Sequence, residues 1–427
     1  MALMELTTTV KKLLVMSCLV IAAPYAFAQK IIKTDTSHFV TLHVDPSNAM
    51  GGNVSDVFSE VNYIPLETTP ESTFGSIKQL AVTDKYYIIR DDNTNSVLFF
   101  TKDGKYHAKI KDSSTDPYRN KIREFFVNRF TNQIVLSEDS YRTVKYYDFD
   151  GKLIKIEDRV SADFKADMSA TSFYFIGPNK LVNCDMYRDE DEKSEYYKPF
   201  HRSLLQFMDG PKVYATGFNY TADRGKKETI SHSIGPLSYF GNDTTLFYSE
   251  YFSYSINTVT PNSIKRAYHF VFPLSMSLPL DFATNPIYDE GEEEYRKAHQ
   301  EQIYCLNNFY KTGDNLLFAA TVYDYKVKEN QLVYNLKSGT LIALQHVLPD
   351  EKSFMLPIFG YSFDFYGLDA CDGTYCYNSV SSVEMLKAMQ DNKGKNIKYN
   401  QTLSDYFAKA TKNNNPVIVQ LKVKDAL

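Results

Sequence analysis

Apolar residues along this chain fall in short alternating runs separated by polar turns, a period-two pattern that predicts strands rather than helices. One unit recurs: an apolar strand, a short turn, a second apolar strand, then a polar or acidic residue. It reads IKQLAVTDKYYIIRD to Asp91, REFFVNRFTNQIVLSE to Glu138 and SFYFIGPNKLVNCD to Asp185. It returns as LSYFGNDTTLFYSE to Glu250, NNFYKTGDNLLFAAT to Thr321 and SFDFYGLDACDGTYCYN to Asn378. The end points are 47, 47, 65, 71 and 57 residues apart, so a minimum period suited to a four-stranded blade is stretched by insertions.

A hairpin follows each of the first five units, clearest in VLFFTKDGKYHAKI and VKYYDFDGKLIKI, where Asp103-Gly104 and Asp150-Gly151 supply the positive φ of a tight turn. LLQFMDGPKVYAT, YSINTVTPNSIKRAYHF and LVYNLKSGTLIAL are weaker versions. The sixth unit lacks a hairpin, because Val380 to Gln390 reads as an amphipathic helix followed by a polar Asn/Lys stretch. Two strands are left over, VNYIPLE from Val61 and PVIVQLKV from Pro416. Joining them to the sixth unit predicts an all-β, six-bladed β-propeller closed by strands from both chain ends, which removes two exposed sheet edges. A pair of β-sandwiches also offers short alternating strands, but does not require six copies of one four-strand unit.

The first residues differ in kind. Lys11 and Lys12 precede an uncharged, apolar run from Leu13 to Ala28 that ends Ala26-Phe27-Ala28, the pattern of a secretory signal peptide cleaved after Ala28. A run of this length is short of the roughly 20 residues that span a bilayer. Lipoprotein processing at Cys18 is the alternative, although most of the apolar run follows that cysteine. The expected organisation is therefore a signal peptide over 1–28, a polar leader over 29–58 and a propeller over 59–427. Insertions fall at about 187–198, 273–302 and 380–415. Periplasm or cell surface is the expected location, with no membrane span in the mature chain.

Composition agrees with strands: 33 Tyr and 29 Phe stand against no Trp. A net charge of −5 without a basic block excludes a nucleic-acid partner. Of the cysteines beyond the leader, Cys371 and Cys376 flank the turn Asp372-Gly373, where a disulfide and two free thiols are both open readings.

YIPLETTPES, SVLFFTKDGK and NPVIVQLKV resemble a family of secreted six-bladed, NHL-like propellers of Bacteroidetes, over nearly the whole mature chain. That resemblance implies the fold and carries no catalytic residue set. Many of its members have a Gly-Pro-x-Glu-Tyr loop after the first hairpin, where this chain has Ser114-Thr115-Asp116-Pro117-Tyr118.

In a propeller the link after each second strand and the link between blades emerge on one face. Asp91, Glu138, Asp185, Glu250, Thr321 and Asn378 are thus expected around the channel mouth. Converging carboxylates there would suit calcium, the one cofactor candidate, held by Asp91, Glu138, Asp185, Glu250 and Asn378. The plain alternative is that each caps a strand end, with Arg90, Arg142 and Arg188 offsetting their charge. Tyr187, Tyr251, Tyr323 and Tyr377 would stack on sugars or clamp a peptide, or else pack between blades. No zinc-protease helix, nucleophile elbow, phosphate loop or dinucleotide fingerprint is present in the sequence. The expected function is a non-enzymatic ligand- or protein-binding propeller for a glycan, a peptide or an envelope protein. Its rival is a calcium-dependent hydrolase or lyase at the channel mouth.

Overall fold

The computed structural model describes residues 30–111, 121–138, 143–158, 172–185, 187, 192–193, 199–210, 212–222, 237–240, 244–283, 285–288, 292–324 and 331–427. Six antiparallel four-stranded units stand in the order the repeats predict. Blade 1 runs outward from Gln79–Val82 through Tyr86–Asp91 and Ser96–Thr101 to Tyr106–Lys111. Blade 2 spans Ile122–Asn128 to Leu153–Asp158, blade 3 Ser172–Phe175 to Lys212–Asn219, and blade 4 Leu237–Tyr239 to Ser263–Val271. Blade 5 runs from Ile303–Thr312 to Leu341–Leu348.

Blade 6 is built from both parts of the chain. Its innermost strand is Ala370–Cys371, followed by Cys376–Val380, then the late strand Val417–Val423, then the early strand Phe58–Pro65. Tyr63 sits opposite Val419 in that last pairing. The ring therefore closes through hydrogen bonds between segments far apart in sequence, as the two leftover strands predicted.

The apolar core is divided in the same way, into six clusters that each combine residues of two adjacent blades. Tyr87, Phe100, Tyr377 and Ile418 fill the gap between blades 1 and 6. Ile88, Phe99, Phe125 and Ile134 fill that between blades 1 and 2. Strand side chains alternate faces, so a blade buried on both sides needs apolar residues at nearly every position of its middle strands. SVLFFT and YYIIRD meet that need, and this is why those strands read as continuous rather than alternating. Tight turns fall where glycine was placed: Gly104 has φ 83° and lies so close to the Pro65 carbonyl that a Cβ would stand 2.3 Å from its oxygen.

The leader does more than its polar pattern indicates. The Ile32 N–H donates to the Thr216 carbonyl on the outer strand of blade 3. Thr34–Asp35 and Val40–His43 pair in parallel with the outer strand of blade 4, and Met50–Asn53 with that of blade 5. Residues 32–65 thus run around the rim before becoming the outermost strand of blade 6. The expected helix is present as Ser382–Asp391, capped by Ser381 and Glu384. A second helix, Gln401–Lys409, follows within the stretch read as polar linker. Among the described residues no helix is long and apolar enough to cross a membrane.

Candidate functional site

The innermost strands bound a central chamber of about 510 Å³. All six innermost strands or their ends line it, and most of them place a polar residue among apolar ones. Blade 2 supplies Glu124 and Phe126, with Arg129 at its strand end; blade 3 supplies Phe173 and Tyr174. Tyr239, Tyr310 and Asp369 enter from blades 4, 5 and 6. A second cavity of about 330 Å³ shares Leu237, Ser238, Asn308 and Tyr310 with the first and extends toward Tyr251 and Thr321.

Side chains that bond to the backbone of a neighbouring blade hold these inner strands in place. The Gln79 amide donates to the Phe125 carbonyl at 2.7 Å and accepts from the Phe125 N–H at 3.0 Å, acting as an extra strand between blades 1 and 2. Ser238 donates to the Phe309 carbonyl, and Ser249 donates to the Leu306 carbonyl at 2.6 Å. Asn308 donates to the Tyr366 carbonyl. Each such bond satisfies a polar group that a chamber wall would otherwise leave exposed or unpaired.

Two carboxyls set much of the chamber's electrostatics. Burial pushes the Glu124 carboxyl up to about 7, opposed by the Arg90 charge. Burial likewise raises Asp369 to about 7, opposed by hydrogen bonds from Ser379. The Asp369 Oδ2 is buried and takes no hydrogen bond from any described residue. Arg90 donates to Asp92 and to the Ile122 carbonyl, while the Arg129 guanidinium lies 5.7 Å from the centre of the Tyr239 ring. Phe126 stacks on Phe173 at 3.9 Å, and Tyr174 meets Tyr239 edge-on at 5.3 Å. The Tyr174 and Tyr310 hydroxyls are held protonated well above the usual phenol range by burial. The result is an aromatic chamber lined by two carboxyls and the guanidinium groups of Arg90 and Arg129.

The residues expected to ring the mouth are distributed differently. Asp91 is buried and spends both oxygens on its own blade: Oδ1 accepts from the Gly75 and Ser76 N–H groups, Oδ2 from the Thr94 N–H and hydroxyl. Asp185 is buried and accepts from the Gln206 amide at 3.1 Å. Asn378 is buried, accepting from the Gly360 N–H and donating to the Gly367 carbonyl. Asp91 thus bonds to backbone at the end of its strand, Asp185 to a neighbouring side chain, and Asn378, in the middle of Cys376–Val380, to the backbone of the segment before its blade. Glu250 is half-buried just beyond its strand. The Glu138 backbone ends its strand opposite Ile122, while its side chain, Arg142 and Arg188 lie outside the described residues, as does most of the insertion at 187–198. Among the described residues no group of three or more His, Cys, Asp or Glu stands where it could hold a metal ion.

Some expected residues do meet. Thr321 accepts from the Asn307 amide at 3.0 Å and lines the second cavity with Tyr251. Tyr251 and Tyr323 flank Tyr304, which sequence reasoning missed, at 6.1 and 4.5 Å in a stacked ladder. Arg296, from the insertion at 273–302, lies 4.9 Å over the Tyr323 ring. Tyr187 packs on Tyr220, and Tyr377 is buried between blades with its hydroxyl donating to Asp372 at 2.6 Å.

The model of DUF4934, described as a domain of unknown function, matches residues 39–422. The chain belongs to this family. Among solved structures, this DUF4934 chain is similar to a Bacteroides fragilis protein described as exported. The two share 14% identity over 90% of this chain and 100% of the other, with a TM-score of 0.61. A Bacteroides vulgatus member of the DUF4221 family aligns at 12% identity, covering 86% and 97% of the two chains, with a TM-score of 0.43. Virginiamycin B lyase of Staphylococcus aureus aligns at 12% identity over 66% and 73%, with a TM-score of 0.29. At these identities the B. fragilis likeness speaks for the fold alone, and the other two carry no argument. No curated protein matches the sequence.

Proposed function

We propose that this DUF4934 propeller is a non-enzymatic binding protein of the cell envelope that takes a glycan into its central chamber. The observation that carries the reading is the pair Glu124 and Asp369. Both face an aromatic-walled space, and the Asp369 Oδ2 has no donor among the described residues. A buried acceptor left unpaired costs free energy that a ligand hydroxyl recovers. Sugars present many hydroxyl donors on one side and C–H faces for rings such as Tyr174, Tyr239 and Tyr310 on the other, and arginines donate to their ring and acetal oxygens. The chamber volume is within the usual range for small-ligand sites. Export is supported by Lys11-Lys12, the apolar run to Ala28 and the exported description of the B. fragilis protein.

The test is thermal unfolding and calorimetric titration against panels of neutral oligosaccharides and of peptides, with and without calcium. Binding to the folded state raises apparent stability by RT ln(1 + [L]/Kd). One glycan class is expected to stabilise the chain without calcium, and Glu124→Gln with Asp369→Asn to weaken it about tenfold or more. The reading fails if peptides alone bind, if the double variant binds as tightly as the wild type, or if stabilisation needs calcium. The last result would favour the hydrolase or lyase reading.

A further inference from the structure

The inner strand of blade 6 has two residues, Ala370–Cys371, and is the shortest of the six innermost strands. Its hairpin is turned by Asp372 and Gly373: Gly373 has φ 89°, and the Asp372 Oδ1 accepts from the Thr374 and Tyr375 N–H groups at 2.9 and 2.8 Å. The Asp372 N–H donates to the Tyr375 carbonyl at 3.0 Å, so this is a hydrogen-bonded pair of the ladder. The next pair, Cys371 opposite Cys376, is then a non-hydrogen-bonded one, in which facing side chains stand closest. Its Sγ atoms are 3.5 Å apart, with the Cys376 thiol donating to Cys371.

The two thiols differ in access. Cys371 is half-buried and lines the central chamber, whereas Cys376 is buried in the core between blades 5 and 6. Cys184 and Cys305 are both buried in other blades. One thiol open to a reagent, directly opposite one that is not, is the arrangement of an attacking and a resolving cysteine.

We propose that Cys371 and Cys376 form a reversible cross-strand disulfide that staples the inner strand of the closing blade to its neighbour at the chamber wall. The oxidant is a disulfide, either that of a thiol oxidoreductase or oxidised glutathione. Cys371, as thiolate, attacks one sulfur of that disulfide and forms a mixed disulfide, releasing the other half as a thiol. Cys376 then loses its proton and attacks the Cys371 Sγ, which releases the second half as a thiol. Two protein thiols are oxidised and one acceptor disulfide is reduced to two thiols, so electrons and protons balance. Hydrogen bonding to Cys371 and burial hold the Cys376 thiol protonated above its usual range, so the resolving step quickens as pH rises. The inference stands on hairpin geometry and is independent of the ligand of the chamber.

The test uses the full folded chain, reduced and then exposed to oxidised glutathione at pH 8, alkylated under denaturing conditions and digested with trypsin. No Lys or Arg separates the two cysteines, so both remain in the tryptic peptide spanning residues 353–387. That peptide is expected two hydrogens lighter and unalkylated, returning to two alkylated thiols after dithiothreitol. In Cys376→Ser the same treatment is expected to leave glutathione on Cys371. Two alkylated thiols in the treated wild type, or a glutathione adduct on Cys371 that never resolves, would overturn the proposal.

Discussion

At the scale of single residues, the chemistry is decided by which strand of a blade carries the polar side chain. A carboxylate at the end of a second strand, such as Asp91, faces its own turn and is consumed by four local donors. A carboxylate on a first strand, such as Glu124, faces the chamber. This difference yields a pH prediction. Glu124 and Asp369 hold folded-state values near 7, above the 4.5 and 3.8 of their free forms. Between those limits the folded state binds more protons than the unfolded one, so unfolding free energy falls as pH rises from about 4.5 to 7. The loss is on the order of 2–4 kcal/mol for the pair, after screening by chamber water. Denaturant titrations across that range should show the slope flattened in the Glu124→Gln, Asp369→Asn variant, and parallel curves would contradict it. The strand-end acids were legible in the sequence because they close four of the six repeats. Glu124 and Asp369 were overlooked although REFFVN and LDAC each carry one acid in an apolar run. An acid beside the apolar residues of an innermost strand is the mark of these two chamber positions.

At the scale of elements, short apolar runs between polar turns recovered the propeller strands well and the leader poorly. Thr34–Asp35, Val40–His43 and Met50–Asn53 bury few side chains, so they have no apolar pattern to read; backbone pairing with outer strands holds them instead. The helix Gln401–Lys409 escaped notice for another reason. Its apolar face is only Leu403, Tyr406 and Phe407, preceded by the Asn400 cap inside a run of Asn and Lys. The leader's dependence on close backbone approach can be tested at Gly51. A Cβ there would lie 2.7 Å from the His346 carbonyl oxygen, whereas one at Gly52 meets nothing nearer than 3.4 Å. Gly51→Val is expected to destabilise by about 1–3 kcal/mol and to expose residues near 50 to protease, while Gly52→Ala leaves both nearly unchanged. Equal effects at the two glycines would mean that the leader is not seated on blade 5.

At the scale of the whole molecule, both ends of the chain meet in blade 6, and each gap between blades carries its own share of the core. Six repeats and two leftover strands were enough to reach that architecture from sequence, because closure requires a partner for every edge. What repeats cannot convey is which surface of the ring is empty, since that depends on the inner strands converging in space. The most direct measurement is hydrogen exchange of the folded chain with and without the glycan that stabilises it best. Protection concentrated in Ile122–Asn128, Leu237–Tyr239 and Ile303–Thr312, with the outer strands of the same blades unchanged, is the result a chamber site predicts. Protection confined to outer strands or to the rim, with those inner strands unaffected, would contradict it.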